Sequence, residues 1–287
     1  MKTVSRAGSD LQYFEDDIRL PWQHDGASVV FHHGVGACAD AWRGWLPTLL
    51  ARHRTVRFDM RGHGQSACPD GFEWSITSMI GDLEAVIDAS TTGPVHLVGE
   101  SIGGTVALAF AMTYPSRVRT LTICNGAHAG ASVRNLDDWA ELMGKGGMIA
   151  WSAMMMERRF HRGSIPRAAW EWFETQQATA NPTAIMDAVK VLVGTDLSAD
   201  FGRLTMPTLL MHPDASPFIP VSLMGVIAFV SSMLMAFSSK KAHNIEKKFG
   251  ERKSLFLVQL FILVAVFCMS ILVPFYGVIF FFLISIT

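Results

Sequence analysis

The chain has 287 residues, a formal net charge of −1 and four cysteines that form neither a C-x-x-C pair nor a metal-ligand spacing. The charge balance argues against nucleic-acid binding, and the scattered cysteines indicate a reduced compartment without structural zinc. The sequence also lacks a phosphate-binding G-x-x-x-x-G-K-[ST] loop and a dinucleotide fingerprint. We therefore expect no cofactor, no metal and no nucleic-acid partner.

The first chemical signal follows a short apolar segment, Ser28 to Phe31, which predicts a buried strand. Directly after it comes the H-G-x-G sequence His33-Gly34-Val35-Gly36. Such a loop places one backbone N–H, here that of Val35, beside a reacting carbonyl oxygen. A second predicted strand, Thr55 to Phe58, leads into the polar loop D-M-R-G-H-G-Q-S, residues 59–66.

A helix is predicted from Trp74 to Ser90, because its apolar residues recur at helical spacing. Ser75 or Thr77 is the candidate N-cap, since a hydroxyl there can accept a hydrogen bond from the first turn. The sequence leaves the choice between the two residues open.

The most informative motif is G-x-S-x-G, formed by residues 99–103 between the predicted strand Pro94 to Val98 and a helical segment that starts near Thr105. A serine on a tight strand-to-helix turn needs small residues two positions before and after it. Ser101 is therefore the predicted nucleophile. The backbone N–H of Ile102 is the second predicted oxyanion donor, next to the positive end of the following helix.

These motifs, in this order, resemble the α/β-hydrolase superfamily, in particular its small serine esterases and lactonases such as 3-oxoadipate enol-lactonase. The resemblance covers residues 10 to 220 and implies an α/β fold, a mostly parallel sheet covered on both faces, with a helical cap over the active site. It also implies the chain order serine, acid, histidine for the catalytic groups. Within that family the histidines of the two loops, His33 and His63, have a structural hydrogen-bonding role.

The cap is expected at residues 127–204, which contain helical patterns interrupted by a glycine-rich run at 144–147 and by Pro166 and Pro182. Its sequence is rich in large apolar side chains: Trp139, Met143, Met148, Trp151, Met154, Met155, Met156, Phe160, Trp170, Trp172 and Phe173. These residues predict either an apolar substrate pocket above Ser101 or simply the core of the cap.

After the predicted strand Met206 to His212, the loop 213–220 occupies the place where the resembled family carries its catalytic acid. Ser216 stands at the family's position, and Asp214 is the only carboxylate in the loop. Asp214 is therefore the candidate acid, or else a turn residue that bonds its own backbone. Asn125, directly after the predicted strand Val118 to Cys124, occupies a second place where some members carry the acid, and an amide cannot serve as one.

A serine hydroxyl needs a base, and in this family the base is a histidine after the last strand. Beyond His212 the sequence contains one histidine, His243. It lies in a basic connector, residues 240–253, which separates two apolar stretches. We expect His243 not to be the base, and His128 at the start of the cap is only a remote substitute. The hydrolase pattern is thus expected to be truncated at its C-terminal edge.

The remaining residues have the composition of a membrane protein. No charged residue occurs from Pro217 to Ser239 or from Ser254 to Thr287. These lengths predict about two or three apolar spanning helices in residues 218–287, in contact with a lipid bilayer. The basic connector between the stretches is expected to face the cytoplasm. Its segment Ile245 to Leu255 resembles a short loop of major facilitator transporters.

The two parts, 1–217 and 218–287, conflict in topology. The first residues, Met1 to Leu20, contain no apolar signal core, so the hydrolase part is expected in the cytoplasm. A cytoplasmic connector would place it on the opposite side of the membrane.

We expect a serine hydrolase for a carboxylic ester or lactone, impaired by the missing histidine. The alternative is a non-catalytic, membrane-anchored or accidental fusion of a hydrolase fragment with a transporter fragment.

Overall fold

The computed structural model of the protein describes residues 1–20, 22, 26–132 and 136–211. Their sheet has the strand order β1-β2-β4-β3-β5-β6-β7. The strands are β1 Lys2–Arg6, β2 Ser9–Asp16, β3 Val29–His32, β4 Thr55–Phe58, β5 Val95–Glu100, β6 Val118–Cys124 and β7 Thr208–Met211. Strands β3 to β7 are parallel, whereas β1 and β2 are antiparallel. The expected mostly parallel sheet is confirmed.

Helices connect the parallel strands and form the cap. They are α1 Leu46–Leu49, α2 Ile76–Ser90, α3 Ile102–Thr113, α4 Leu136–Arg159, α5 Arg167–Ala178 and α6 Pro182–Gly194. Short 3-10 helices occur at Ala39–Trp45, Pro115–Arg117, Gly130–Ser132 and Ser198–Arg203. At the start of α2, the Ser75 hydroxyl accepts a hydrogen bond from the Ser78 N–H at 3.0 Å, and Ser78 Oγ accepts one from the Ser75 N–H at 2.9 Å. Ser75, rather than Thr77, is thus the cap.

The buried parallel strands pack on both faces because successive side chains point to opposite sides. Val30 and Leu97 belong to the main core, which α2 and α3 complete. Phe31 points to the other face and packs on Trp42 with ring centroids 4.8 Å apart. Packing on both faces of the sheet therefore holds the loops that follow the carboxyl ends of its parallel strands.

The sequence analysis did not predict the antiparallel hairpin of β1 and β2. Its turn is formed by Ala7 and Gly8, which have φ angles of 48° and 79°. Two positive φ angles match the twist of a tight hairpin. Of the hairpin residues only Leu11 and Tyr13, both in β2, are buried, so the apolar signal of the hairpin is weak.

The chain between β6 and β7, where the cap is predicted at residues 127–204, contains the helices α4, α5 and α6. Gly147 has a φ of 66° and divides α4 by a kink, within the glycine-rich run that predicted a break. Trp139 and Trp151 are 3% and 0% exposed and pack edge to face at 5.5 Å. Both side chains belong to the main buried core.

The predicted membrane segment, residues 218–287, lies outside the described residues. Among the helices that are described, none combines the length and the apolar character needed to cross a membrane. The predicted spans and the boundary at residue 217 therefore stay predictions.

Candidate active site

Ser101 lies at the junction of β5 and α3, with φ 55° and ψ −125°. Its backbone N–H donates to the Cys124 carbonyl of the neighbouring strand at 2.9 Å. A positive φ at a residue with a side chain is strained and persists only where the surroundings hold it. This is the backbone of a strand-to-helix turn that presents a serine hydroxyl.

The glycines around Ser101 are required by close packing of backbones. A Cβ on Gly99 would overlap the Gly103 carbonyl and lie 2.7 Å from Gly104 Cα. A Cβ on Gly103 would lie 2.5 Å from the carbonyl oxygens of His32 and His33. Larger residues would therefore force strand and helix apart.

The loop after β3 lies beside the serine, since a Cβ on Gly34 would be 2.8 Å from Ser101 Cβ. The backbone N–H groups of Val35 and Ile102 donate to no atom of the described residues. Ile102 is the first residue of α3, so its N–H points out of the helix N-terminus. Two donors without a partner among the described residues thus flank the serine turn.

His33 supports this loop and is fixed in one neutral tautomer. The Met60 N–H donates to His33 Nε2 at 2.9 Å, so that nitrogen carries no proton. His33 Nδ1 lies 2.8 Å from the Gly34 carbonyl, to which it donates. Burial lowers the pKa of His33 well below its usual range. These contacts agree with the structural role that the resemblance implied.

His63 lies near His33, with ring centroids 5.5 Å apart. Its Nδ1 is 2.9 Å from the Arg61 carbonyl, and burial lowers the pKa of the ring to about 4. Its Nε2 has no hydrogen-bond partner among the described residues. The burial of the ring, whose Nδ1 is held by a backbone carbonyl, agrees with the structural role that the resemblance implied.

Two buried side chains, Asp59 and Arg61, hold the 59–66 loop in place. Asp59 accepts hydrogen bonds from the Ala39 N–H at 2.7 Å and the Gln65 N–H at 2.9 Å. Arg61 is fully buried and donates to Asp82 at 2.6 Å and to the Arg6 carbonyl at 2.6 Å. The loop thereby joins the N-terminal hairpin to α2 and the sheet.

Two charged residues at the site were not singled out from the sequence. The Glu100 carboxyl group, adjacent to Ser101, has a pKa raised by burial, against the opposing effects of Arg159 and the Gly34 backbone. Arg159, the last residue of α4, donates from Nη2 to the Val35 carbonyl. The place of Glu100 inside the motif was a usable signal, whereas no local pattern identifies Arg159.

Within the described residues, no hydrogen bond joins Ser101 to the side chain of another candidate residue. Asp214 and His243 lie outside the described residues. His128 is exposed and packs its ring on Phe201 with centroids 5.2 Å apart. Asn125 donates its backbone N–H to the Met211 carbonyl at 2.8 Å, beside the end of β7. Within the described ranges, no group of three or more His, Cys, Asp or Glu side chains could hold a metal ion.

Comparison with known proteins finds relatives that are named as hydrolases or lactonases. The carbamate hydrolase RutD of Azorhizobium caulinodans is 38% identical over 101 residues, which span 35% of this chain and 38% of that protein. RutD of Variovorax paradoxus is 37% identical over 212 residues, 68% of this chain and 76% of that protein. The 3-oxoadipate enol-lactonase 1 of Acinetobacter baylyi is 25% identical over 211 residues, 71% of this chain and 77% of that protein.

A solved structure, the enol-lactonase of Burkholderia xenovorans LB400, superposes with a TM-score of 0.65 at 18% identity, over 83% of this chain and 100% of that one. At this identity the likeness concerns the fold. Residues 27–150 match the family model described as alpha/beta hydrolase fold. Together with the Variovorax relative, this match shows that the chain belongs to the alpha/beta hydrolase fold family.

Proposed function

We propose that this protein is a serine hydrolase that cleaves a carboxylic ester or lactone by acyl transfer to water. The observation that carries the proposal is the strained backbone of Ser101, flanked by the N–H groups of Val35 and Ile102, which donate to no described residue. Relatives named as carbamate hydrolase and enol-lactonase support acyl chemistry on a small molecule.

In the proposed reaction, Ser101 Oγ forms a bond to the carbonyl carbon, whose oxygen becomes negatively charged between the two N–H groups. The bond to the leaving alkoxide then breaks, and the proton lost by the serine ends on that alkoxide. Water next attacks the acyl-serine, which releases the acid and returns a proton to Oγ. Each oxyanion donor stabilises the transition state by about 3 kcal/mol.

We propose that turnover is slow, because the proton transfer needs a base that the sequence does not supply in the usual place. His33 and His63 are buried and use Nδ1 on backbone carbonyls. Asp214 is the proposed acid, and His243 is the only histidine after residue 212. An intact oxyanion hole without its full triad retains catalysis several orders of magnitude below normal.

The test is covalent labelling of the purified full-length chain with a fluorophosphonate, followed by peptide mass spectrometry. We expect slow labelling on Ser101 and its loss in Ser101→Ala. Ser164→Ala, in an exposed loop of the cap, is the matched control and should label like the parent. Absence of labelling on the parent, or labelling that survives in Ser101→Ala, contradicts the proposed nucleophile. Rapid ester turnover that depends on Ser101 contradicts the proposed lack of a base.

On the sequence alone, we also propose that residues 218–287 anchor the chain in a membrane, with residues 1–217 on the cytoplasmic side. The charge-free stretches from Pro217 and from Ser254 support this anchoring. The full chain should then remain with membranes after carbonate extraction, and its release would contradict the anchor. Sequencing the native transcript across codons 210–225 tests the alternative of an accidental fusion with a transporter fragment.

A further inference from the structure

The Gly34–Val35 segment is contacted from two sides by charged groups. From the serine turn, the Glu100 carboxylate faces the Gly34 backbone so closely that a Cβ on Gly34 would overlap it. From the cap, Arg159 Nη2 donates to the Val35 carbonyl. Arg159 and Glu100 also attract each other electrostatically. We refer to Glu100 and Arg159 as the loop clamp.

Hydrogen bonds hold both peptide units of Val35, the residue of the proposed oxyanion donor. The Gly34 carbonyl accepts from His33 Nδ1 at 2.8 Å and from the Ala37 N–H at 3.1 Å. Because a peptide unit is planar, those bonds also orient the Val35 N–H on the other side of the same unit. Arg159 fixes the next unit through its carbonyl. The Val35 N–H is left as the donor available to a ligand.

The cap reaches this loop at a second point on the same helix. Trp151, also in α4, lies so close to Gly36 that a Cβ there would be 2.7 Å from the indole ring. Gly36 has a φ of 72°, a conformation that favours glycine. The C-terminal half of α4 therefore contacts two consecutive residues of the loop.

We propose that Arg159 is a positioning residue through which the cap sets the geometry of the Val35 oxyanion donor. The proposal rests on the proposed function for its catalytic consequence. The structural part is independent, because it concerns how firmly residues 33–37 are held. Displacing a catalytic group by about 1 Å costs on the order of 100-fold in rate.

The test compares Arg159→Met, Arg159→Lys and the control Arg158→Met in the full-length chain. Arg158 occupies the same helical turn, and within the described structure it forms no hydrogen bond or ion pair. In Arg159→Met we expect fluorophosphonate labelling of Ser101 to slow about 10- to 100-fold in its maximal rate, with unchanged probe affinity. Lysine should recover part of this loss, and Arg158→Met should match the parent.

Backbone amide exchange of residues 33–37 gives a readout that needs no activity. We expect faster exchange in Arg159→Met than in the parent or in Arg158→Met. Equal exchange in all three proteins overturns the proposal, as does a labelling defect confined to probe affinity. If the parent protein is not labelled at all, the proposed function fails, and the exchange comparison still decides whether the clamp exists.

Discussion

Strands β3 and β7 have the same length and similar apolar character, yet their surroundings are opposite. All four residues of β3 are buried, whereas all four residues of β7 are exposed. β3 pairs with β4 and β5, whereas in the described structure β7 pairs with β6 alone. Apolar sequence therefore predicts a strand, but its neighbours decide its burial. The loop with the proposed oxyanion donor follows the strand that is supported on both sides.

The largest effect is expected where the buried strand β5 meets α3. Gly99→Ala would drive a Cβ into backbone atoms of Gly103, and we expect a loss of more than about 4 kcal/mol or failure to fold. Gly93→Ala, just before β5, meets no atom within 4 Å and should be nearly neutral. Thermal midpoints of the full-length variants measure the difference. Equal midpoints would contradict the close packing of Gly99 against the backbone of α3.

A direct test of the comparison replaces one apolar residue in each strand. Phe31 in β3 is 2% exposed, and Phe31→Ala should cost about 3 kcal/mol or more. Leu210 in β7 is 39% exposed, and Leu210→Ala should change stability by about 0.5 kcal/mol or less. Denaturant midpoints provide the measurement. A large cost at Leu210 would show that β7 is covered in solution.

His32 in β3 and His63 in the 59–66 loop predict that the stability of the fold depends on pH. β7 contains no titratable side chain and makes no such contribution. Burial lowers the pKa of His32 and of His63 from 6.5 to about 4. Between these values the unfolded chain binds more protons than the folded chain, so stability falls as the pH drops from 6.5 towards 4. Each ring contributes a loss on the order of 3 kcal/mol at most.

Thermal midpoints at pH 7.5, 5.5 and 4.5 measure this loss. His63→Asn should flatten the dependence, while His128→Asn, at an exposed position, should leave it as in the parent. If His63→Asn and the parent lose stability in parallel, the buried His63 ring is not the source.

The smallest effect concerns a helix start on the surface. Ser75→Ala removes the reciprocal cap of α2 and should cost about 1 kcal/mol. Thr77→Ala, two residues later and exposed, removes a hydroxyl without a described capping bond and should be close to neutral. Ser75→Ala should therefore have the lower thermal midpoint of the two variants. A lower midpoint for Thr77→Ala would assign the cap to Thr77.

Sequence patterns were sufficient for the parallel strands, α2, the helices between β6 and β7 and the serine turn, because each depends on local spacing. The strand Thr55 to Phe58 and the break near Gly147 are examples. The hairpin of β1 and β2 was missed because only Leu11 and Tyr13 are buried in it. Arg159 was missed for a different reason. Its partner Val35 is 124 positions away in the chain, and only tertiary packing brings them together. Asp214 and His243 stay predictions.

The buried guanidinium of Arg61 makes the N-terminal hairpin indispensable to the rest of the domain. Its donors reach the Arg6 carbonyl and Ser9 Oγ, while Asp82 balances its charge. A shortened chain starting after Asp16 would leave a cation under the sheet with half of its acceptors gone, and such uncompensated groups are strongly destabilising. Affinity tags and domain fusions at the amino terminus are therefore safest before Lys2, where they leave both acceptors of the hairpin in place.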